Sequence, residues 1–446
     1  MLLGALAVSR FGATLRGFPA GGGGGYAGGV MKVVRLKPQR ACRAAAGHPW
    51  AFAGDVALAN AQRVADGESV ELRDAGGRSL GAGVWSNRSQ IVWRRHSRAP
   101  RPFDAAFVAE ALAAAVARRG FAATGGHATG GAGDATAATA ATGASAGGDF
   151  QRLVWSEADN LSGLVVDKFG DVLVMQALTV GADNALPVAA EWLRERFAPR
   201  EIIFRNDAPV RARDGLPLET RTLTGGAFAP AWFRIEGVEY LLDLQGGQKT
   251  GFYLDQRPQH PHVARFAKGR RVLDAFCNQG GFALHAAKAG AADVLGLDIS
   301  AACVAAAAGN AVRNALPARF EQANVFDWFT RARAERGSTA GAQFDLIILD
   351  PPPFARSREA FDGALRGYKE INLRAMQMLA PGGILATYSC SQRVEPPVFA
   401  EVLAEAAADA RREVRLIEET GQPPDHPVLL GFPESRYLKG AILRVE

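Results

Sequence analysis

Short apolar runs alternate with amphipathic stretches from about residue 238 to the end of the chain. The apolar runs have the length and composition of buried strands, and the stretches between them have the spacing of helices. We therefore predict an α/β domain over residues 238–446, with a doubly wound, mostly parallel sheet and helices on both faces. The predicted strands are RVLDAF, DVLGLDIS, FDLIILD and GGILATYSC; the predicted helices are GFALHAAKAG, AACVAAAAGNAVRNAL and YKEINLRAMQML.

The chain before this domain has a different pattern. Residues 31–102 contain short alternating runs and turns, such as ESVELRDAGGRSLGAGVWS and SQIVWRRHS, which predict a small all-β barrel. Residues 103–237 predict an α+β middle domain, in which a hairpin turns at Lys168–Asp171 before the helix ALPVAAEWLRERFA and the strand EIIFRN. Within this domain, residues 122–149 form a low-complexity run of Ala, Gly and Thr, which predicts a flexible insertion.

The composition is typical of a soluble globular protein, with 446 residues of which 48% are hydrophobic and 22% are charged. No window offers the roughly 18 uninterrupted apolar residues that a membrane span needs. The cysteines form no C-x-x-C pair, which argues against a metal site or a disulfide scaffold and favours the cytoplasm. They are Cys42, Cys277, Cys303 and Cys390. Residues 1–30 are interpreted as a disordered extension, or as the product of an upstream start codon.

Charge is distributed unevenly along the chain. Residues 1–100 contain 14 Lys or Arg and 5 Asp or Glu, a net charge of +9, whereas the whole chain carries +6. A basic front end on a near-neutral body indicates contact with a polyanion such as RNA. A solvated basic surface has the same composition, so charge alone leaves both interpretations open.

The loop after the first strand of the α/β domain indicates a nucleoside ligand. Its sequence is DAFCNQGGF, in which Gly280 and Gly281 allow the backbone to approach a ligand closely. The spacing differs from the dinucleotide fingerprint, and no Lys follows the glycines as in a P-loop. Asp298 lies about 20 residues further on, at the end of the second strand, where a carboxylate suits two ribose hydroxyls. A nucleoside without a pyrophosphate fits best, so we expect S-adenosylmethionine; ordinary loop chemistry is the alternative.

The sequence DLIILDPPPFARS predicts a rigid pocket edge after the strand FDLIILD, because each proline fixes φ and removes an N–H donor. Asp350 and the exposed carbonyls of such an edge can hydrogen-bond the amino edge of a flat base. The motif therefore indicates a nucleobase substrate, and we expect Pro351, Pro352 and Phe354 to contact it. A proline turn without function is the alternative.

Several neighbouring side chains have two open interpretations. Phe354 and Tyr368 can stack on the base or belong to the core or rim. Arg356 and Arg358 can bind phosphate or lie on a solvated loop.

Eight segments of residues 31–446, outside the insertion, resemble one known family. They are GHPWAF, SEADNLSGLVVDKFG, GQKTGFYLDQR, LDAFCNQGGFALHAAKAGA, LDPPPFARSR, GYKEINLRAMQML, TYSCS and DHPVLLGFPESRYLKG. With them the chain is similar to the class I S-adenosylmethionine-dependent large-subunit ribosomal RNA methyltransferases of the PUA-containing 5-methylcytosine family. The resemblance implies a PUA barrel, a middle domain and a Rossmann-like methyltransferase domain. It also implies S-adenosyl-L-methionine as the cofactor and 23S ribosomal RNA as the partner.

Site residues are expected at the strand ends of the Rossmann-like domain. The expected catalytic residues are Cys390 and Asp350. The expected cofactor contacts are Asp274, Phe276, Gly280, Asp298, Ile299, Asn324, Val325 and Asp350. Asn324 departs from the family, which usually has an acid there, but its amide oxygen can still accept a hydrogen bond from the adenine amino group.

Cys390 lies between two serines at the end of the predicted strand GGILATYSC. A buried cysteine is usually a small hydrophobe, but C5 of a pyrimidine is a poor nucleophile and needs a thiolate that adds to C6. The strand of Cys390 neighbours the strand that carries Asp350, and the resemblance gives Cys390 the same role. We therefore expect Cys390 to be the nucleophile, and we expect Cys277 and Cys303 to be packing residues.

Two other functions stay open at this point. One is methylation of an exocyclic amine or a purine nitrogen, which has no need of Cys390. The other is RNA binding without catalysis, which the intact glycine turn, Asp298, Asp350 and Cys390 together argue against. The sequence is compatible with a homodimer as well as with a monomer.

Overall fold

The structure is a computed structural model of the chain. It describes residues 31–38, 42–57, 64–121, 148–247, 249–334, 344–354 and 361–446. The predicted N-terminal extension, residues 122–147 of the predicted insertion, Arg356 and Arg358 lie outside these ranges. In the described residues no helix is both long enough and apolar enough to cross a membrane.

The chain divides into two compact units, which are described separately. The first is Met1–Phe228 with Leu429–Phe432, and the second is Ala229–Val428 with Pro433–Glu446.

A five-stranded sheet begins the first unit, with the strand order β1-β3-β4-β5-β2. A bridge between Leu36 and Val56 joins the segments that follow the two edge strands, so the sheet curls towards a closed barrel. Barrel closure protects edge strands from pairing with other chains. The strands are β1 (Lys32–Arg35), β2 (Trp50–Phe52), β3 (Ser69–Arg73), β4 (Ser79–Trp85) and β5 (Ile91–Ser97).

The GHPWAF segment has a structural role in this unit. The ring of Trp50 packs edge-on against Phe432, with 4.7 Å between centroids, and its Nε1 donates a hydrogen bond to Glu157 Oε1 at 2.8 Å. His48 also packs against Phe432, at 5.2 Å. These rings therefore join the barrel to other parts of the same unit.

A second five-stranded sheet, in the order β10-β9-β8-β7-β6, forms the rest of the first unit. The predicted hairpin at Lys168–Asp171 is present as the antiparallel pair β7–β8. Ion pairs are buried beside this sheet, such as Arg119 with Asp159 at 2.7 Å. The elements are α1 (Ala105–Arg118), β6 (Phe150–Trp155), β7 (Leu164–Phe169), β8 (Val172–Ala177), α2 (Val180–Phe197), β9 (Glu201–Asn206) and β10 (Glu219–Thr222).

The second unit contains a seven-stranded sheet in the order β15-β14-β13-β16-β17-β19-β18. Its first five strands are parallel, β19 is antiparallel to β17, and β18 is antiparallel to β19. The strands of this unit are β11 (Ala231–Ile235), β12 (Val238–Leu242), β13 (Arg271–Asp274), β14 (Asp293–Asp298), β15 (Arg319–Gln322), β16 (Phe344–Leu349), β17 (Leu379–Ser389), β18 (Val414–Gly421) and β19 (Lys439–Val445). The helices are α3 (Gln259–Ala264), α4 (Gly281–Lys288), α5 (Ala301–Arg313), α6 (Val325–Ala334), α7 (Phe361–Met378) and α8 (Pro396–Ala410).

Strand β16 is almost continuously apolar because both of its faces are buried. Ile347 and Leu349 belong to the core on one face of the sheet, whereas Leu346 and Ile348 belong to the core on the other. Successive side chains of a strand point to opposite faces, so a central parallel strand that is covered on both sides has few positions left for polar residues. The predicted doubly wound sheet is confirmed. The sequence interpretation did not include the antiparallel pair β18–β19.

Candidate active site

The carboxyl ends of the parallel strands gather most of the predicted site residues at one edge of the sheet. Register places Asp274 opposite Gly296 on β14 and opposite Ile348 on β16. Asp350 follows β16 directly, and Cys390 follows β17 directly. Because these strands are parallel and adjacent, their ends lie together although the residues are far apart in sequence.

Asp274 supports the turn that leads from β13 into α4. Its Oδ2 accepts a hydrogen bond from the main-chain N–H of Ala283 at 3.0 Å, whereas its Oδ1 has no partner in the part of the chain that the structure describes. Asp274 is fully buried, and this burial, with the nearby charges of Asp350 and Asp298, raises its pKa to about 8. A buried carboxyl with a free oxygen is a candidate for a donor or cation of a ligand.

The glycine turn brings main chain close to the same point. Gly280 has φ +88°, in the left-handed region that glycine adopts without strain, and it lies at the N-terminus of α4. A Cβ there would lie 3.1 Å from a side-chain atom of Leu284 and 3.3 Å from Ala307. A larger residue would therefore be strained at this φ and would need these two side chains to move by a few tenths of an ångström.

Asp298 is positioned by two main-chain donors. Its Oδ2 accepts from Asn278 at 3.0 Å, and its Oδ1 accepts from Ser300 at 2.9 Å. Each carboxylate oxygen can accept a second hydrogen bond, so two hydroxyls can still bind. The neighbouring Ile299 is 68% exposed, which leaves its apolar side chain available to pack against a flat ring.

Three predicted cofactor residues have their side chains engaged by the fold. The Oδ1 of Asn324 accepts from Phe326 N at 2.9 Å and thereby caps α6, so an adenine amino group would have to share this oxygen. The side chain of Val325 is 3% exposed and belongs to the core, which leaves its main chain for a ligand. Phe276 is partly buried and packs against the same core.

The proline edge and Cys390 meet at this end of the sheet. The Sγ atom of Cys390 donates to the carbonyl oxygen of Pro351 at 3.8 Å. Pro351 is buried, Pro352 is exposed and Phe354 is partly buried. The thiol therefore lies directly beside the DPPPF segment, as the order of strands predicts.

The surroundings of Asp350 and Cys390 favour the neutral, protonated form of each side chain. Burial and the charge of Asp255 raise the pKa of Asp350 to about 7, against the opposing effects of Gln256 and Lys249. Burial and Asp350 raise the pKa of the Cys390 thiol to about 11. A group that is ionised during the reaction must therefore gain compensating positive charge.

Tyr368 does not fit the stacking interpretation. Its side chain is fully buried, and its hydroxyl is 2.9 Å from Ser391 Oγ. It packs against Phe354 with 4.7 Å between ring centroids. Tyr368 therefore supports the loop after Cys390 from within the core, and Phe354 is left as the aromatic candidate for a base.

The other cysteines of the sheet domain are placed as packing residues. Cys277 is 3% exposed, and burial raises the pKa of its thiol. The Sγ of Cys303, in α5, accepts a hydrogen bond at 3.7 Å from Nδ2 of Asn278, which lies in the loop of the glycine turn. Both thiols are buried, whereas Cys390 is partly buried.

Further residues near Cys390 were given no role by the sequence interpretation, although the quoted segments contain them. Lys249 Nζ lies 3.3 Å from Asp255 Oδ2 and 3.9 Å from the centroid of the Tyr253 ring. Tyr437 donates to the same Asp255 oxygen at 2.7 Å. Lys249 lowers the pKa of the Cys390 thiol and Asp255 raises it, so this group lies within electrostatic reach of the sulfur. Only the fold brings it there.

These residues fit a cationic nucleoside cofactor. The free Oδ1 of Asp274 and the carboxylate of Asp298 offer acceptors for ammonium and hydroxyl groups. The glycine turn lets main chain approach, and Ile299 offers an apolar contact. The doubly wound sheet and this site together define an S-adenosylmethionine-dependent methyltransferase.

Comparison with known proteins gives the same class and a narrower family. Residues 201–435 match the S-adenosylmethionine-dependent methyltransferase family, and residues 34–98 match the PUA-like domain. The chain is 38% identical over 419 residues to ribosomal RNA large subunit methyltransferase I of Shewanella denitrificans, covering 92% of this chain and 99% of that protein. The protein of the same name from Photobacterium profundum is 38% identical over 401 residues, which is 88% of this chain and 94% of that protein. The chain belongs to the ribosomal RNA large subunit methyltransferase I family.

Solved structures confirm the fold. A chain of Streptococcus mutans described as a SAM-dependent methyltransferase superposes with a TM-score of 0.72 at 18% identity, covering 93% of this chain and all of that chain. A methyltransferase complexed with SAH superposes with a TM-score of 0.73, also at 18% identity, over 94% of this chain and all of that one. The succession of barrel, middle sheet and methyltransferase sheet is therefore shared with proteins of distant sequence.

Proposed function

We propose that the protein transfers a methyl group from S-adenosylmethionine to C5 of a cytosine in 23S ribosomal RNA, through a covalent adduct with Cys390. The observation that carries the proposal is the position of Cys390. Its thiol lies at the mouth of β17, 3.8 Å from the carbonyl oxygen of Pro351 at the proline edge. A base bound along that edge would have a nucleophile beside it.

The chemistry assigns a step to Cys390. Its thiolate adds to C6 of the base, so the C5–C6 double bond opens and electron density builds at C5. Bound S-adenosylmethionine supplies the methyl group that C5 takes up. C5 then loses its proton to a carboxylate of the site, the Sγ–C6 bond breaks, and the thiolate leaves as the ring regains its aromaticity.

Asp350 has a complementary role: it contacts N3 and the amino group of the base, whereas Cys390 attacks C6. A pKa of about 7 keeps part of this carboxyl protonated near neutral pH. A protonated carboxyl can donate to N3 of cytosine and accept from its amino group. Donation to N3 withdraws electrons from the ring and makes C6 more susceptible to the thiolate.

The substrate class rests on the relatives and on charge. The relatives named ribosomal RNA large subunit methyltransferase I align over nearly their whole length. The PUA-like match lies in the basic front end of the chain, where residues 1–100 carry a net charge of +9. A positive surface of this kind suits the phosphates of RNA.

The proposal is tested with a mechanism-based substrate. RNA that carries 5-fluorocytosine at the target should trap the enzyme, because fluorine at C5 cannot leave as a proton does. The adduct should survive denaturing electrophoresis and map to Cys390, with Cys277 and Cys303 unmodified. The target itself is found by bisulfite sequencing of ribosomal RNA from cells with and without the gene.

Two other results would contradict the proposal. A fully active Cys390→Ala protein would exclude the covalent route and support methylation of an exocyclic amine or a purine nitrogen. An adduct at Cys277 would place the nucleophile in the loop after β13.

A further inference from the structure

Lys439 is a buried lysine that no anionic group of the described residues contacts. Its side chain lies at the start of β19, and the residue is 4% exposed. Its Nζ donates to the main-chain carbonyl oxygens of Ser391 at 2.6 Å and of Tyr437 at 2.8 Å. No third partner and no carboxylate contacts this ammonium group among the described residues, although lysine has three N–H donors.

A buried charge of this kind is costly, and proteins normally pair it with an opposite charge. The amine of Lys439 donates to two main-chain carbonyl oxygens at the edge of the site. These bonds satisfy two of its N–H donors but do not neutralise its charge. Burial accordingly lowers its pKa to about 8. The fold therefore holds a cation whose contacts among the described residues are neutral carbonyl oxygens.

The anion that fits is the thiolate of Cys390. In the antiparallel pair β17–β19, Lys439 lies opposite Ser389. Its amine reaches Ser391, so the lysine contacts the residues on both sides of the cysteine. Lys439 and Cys390 also interact electrostatically, each favouring the charged form of the other.

The other charged groups near the sulfur include a second lysine, Lys249, whose effect on the pKa of the Cys390 thiol is larger than that of Lys439. Asp350 and Asp255 raise the pKa of the Cys390 thiol. Lys249 lowers it, but Lys249 forms an ion pair with Asp255, whose charge acts in the opposite direction. Tyr253 and Tyr368 also interact electrostatically with Cys390, but both tyrosines have raised pKa values and stay neutral.

We propose that Lys439 is a positioning residue that stabilises the thiolate of Cys390 with its buried positive charge. The proposal rests on the proposed function, in which Cys390 is the nucleophile. It adds how a thiol beside two aspartates becomes ionised. Loss of the S–H proton to solvent leaves a thiolate next to an ammonium group that no carboxylate of the described residues contacts.

Alkylation of the full-length protein by iodoacetamide tests this without RNA or cofactor. The thiolate displaces iodide, so an S–C bond forms and the C–I bond breaks, and mass spectrometry of the peptide that carries Cys390 gives the rate. Lys439→Met should slow this rate about tenfold near neutral pH, the effect of one pKa unit. Lys439→Arg, which keeps the charge, should restore most of it.

A matched control removes another lysine of the same unit. Lys369 forms ion pairs with Glu405 and Asp409, so Lys369→Met should leave the alkylation of Cys390 unchanged. Calorimetric titration with S-adenosylmethionine confirms that each variant is folded. Equal rates in wild type and Lys439→Met, or equally slow rates in Lys439→Met and Lys439→Arg, would overturn the proposal.

The wild-type protein supplies a test that does not depend on a variant folding. If the lysine stabilises the thiolate, the logarithm of the rate should rise with pH and then bend as Lys439 loses its proton, near its pKa of about 8. A straight rise through that pH would overturn the proposal. Activity of Cys390→Ala is measured separately, so loss of the covalent mechanism and loss of the lysine effect give different results.

Discussion

The Sγ atom of Cys390 lies 3.8 Å from the carbonyl oxygen of Pro351, so the end of β17 and the proline edge after β16 line one site. The adjacent parallel strands β16 and β17 produce this contact, since Leu349 is paired with Thr387 shortly before both strands end. A thiol and a carboxyl, on Cys390 and Asp350, are thereby held beside the place expected for a base.

Asp298→Ala should weaken binding of S-adenosylmethionine by about 1.5–3 kcal/mol, the range for hydrogen bonds to a charged group. The carboxylate is fixed by Asn278 and Ser300 and offers its remaining lone pairs to ribose hydroxyls. Isothermal titration calorimetry measures the change. Asp293→Ala is the control, because Asp293 starts the same strand and pairs with Arg319 at 2.8 Å. Unchanged affinity in Asp298→Ala would remove this residue from the site.

Affinity for S-adenosylmethionine should rise with pH between about 6 and 8, by up to about tenfold per pH unit. The pKa of Asp274 is raised to about 8, and a bound cation favours its ionised form, so binding releases a proton. Calorimetry in buffers of different ionisation enthalpy counts the protons. S-adenosylhomocysteine, which lacks the sulfonium charge, should show a weaker dependence.

Asp274→Asn tests the source of this dependence and also predicts a change in stability. The asparagine keeps an acceptor for Ala283 N but cannot ionise, so the pH profile of binding should flatten. In the wild type without cofactor, the folded pKa of Asp274 lies above the unfolded value. Its contribution is therefore complete at low pH and is lost as pH rises towards about 8. Denaturant unfolding across this range should show a smaller loss in Asp274→Asn, and equal losses would contradict the assignment.

Charge reversal of Arg35 and Arg98 should weaken RNA binding, because both are exposed on the basic barrel. Each lost phosphate contact should lower the slope of log affinity against log salt by about 1. Filter binding at several salt concentrations measures the slope, and cofactor affinity should stay the same. Arg213→Glu, an exposed arginine outside the barrel, is the control. If the barrel variants bind RNA as tightly as wild type over the whole salt range, these arginines do not anchor it.

Tyr368→Phe should lower the free energy of unfolding by about 0.5–1.5 kcal/mol, the usual net value of one hydrogen bond. The substitution removes the hydroxyl that meets Ser391 Oγ but keeps the ring that packs on Phe354. Urea unfolding gives the stability, and calorimetry should show unchanged cofactor affinity. A Tyr368→Phe protein with wild-type stability would mean that the hydroxyl does not support the loop after Cys390.

The sequence alone determined the elements and the strand-end positions of this site. Apolar runs such as FDLIIL specify central parallel strands, since both faces of such strands are covered, and the turn residues mark where the strands end. Once the sheet is doubly wound, residues such as Asp274, Asp350 and Cys390 must share one edge. Local pattern and topology rules were enough for that step.

Tertiary structure decided what surrounds those residues. Lys249, Asp255 and Lys439 come from segments remote in sequence and meet near Cys390 only after packing. The sequence does not decide whether Tyr368 stacks on the base or packs in the core, because its position in α7 has no local signal for its hydrogen bond to Ser391. Asn324 became a helix cap, since the N-terminus of α6 needs an acceptor for its free N–H groups. Periodicity describes one element at a time, whereas burial, charge compensation and hydrogen-bond satisfaction depend on which elements meet.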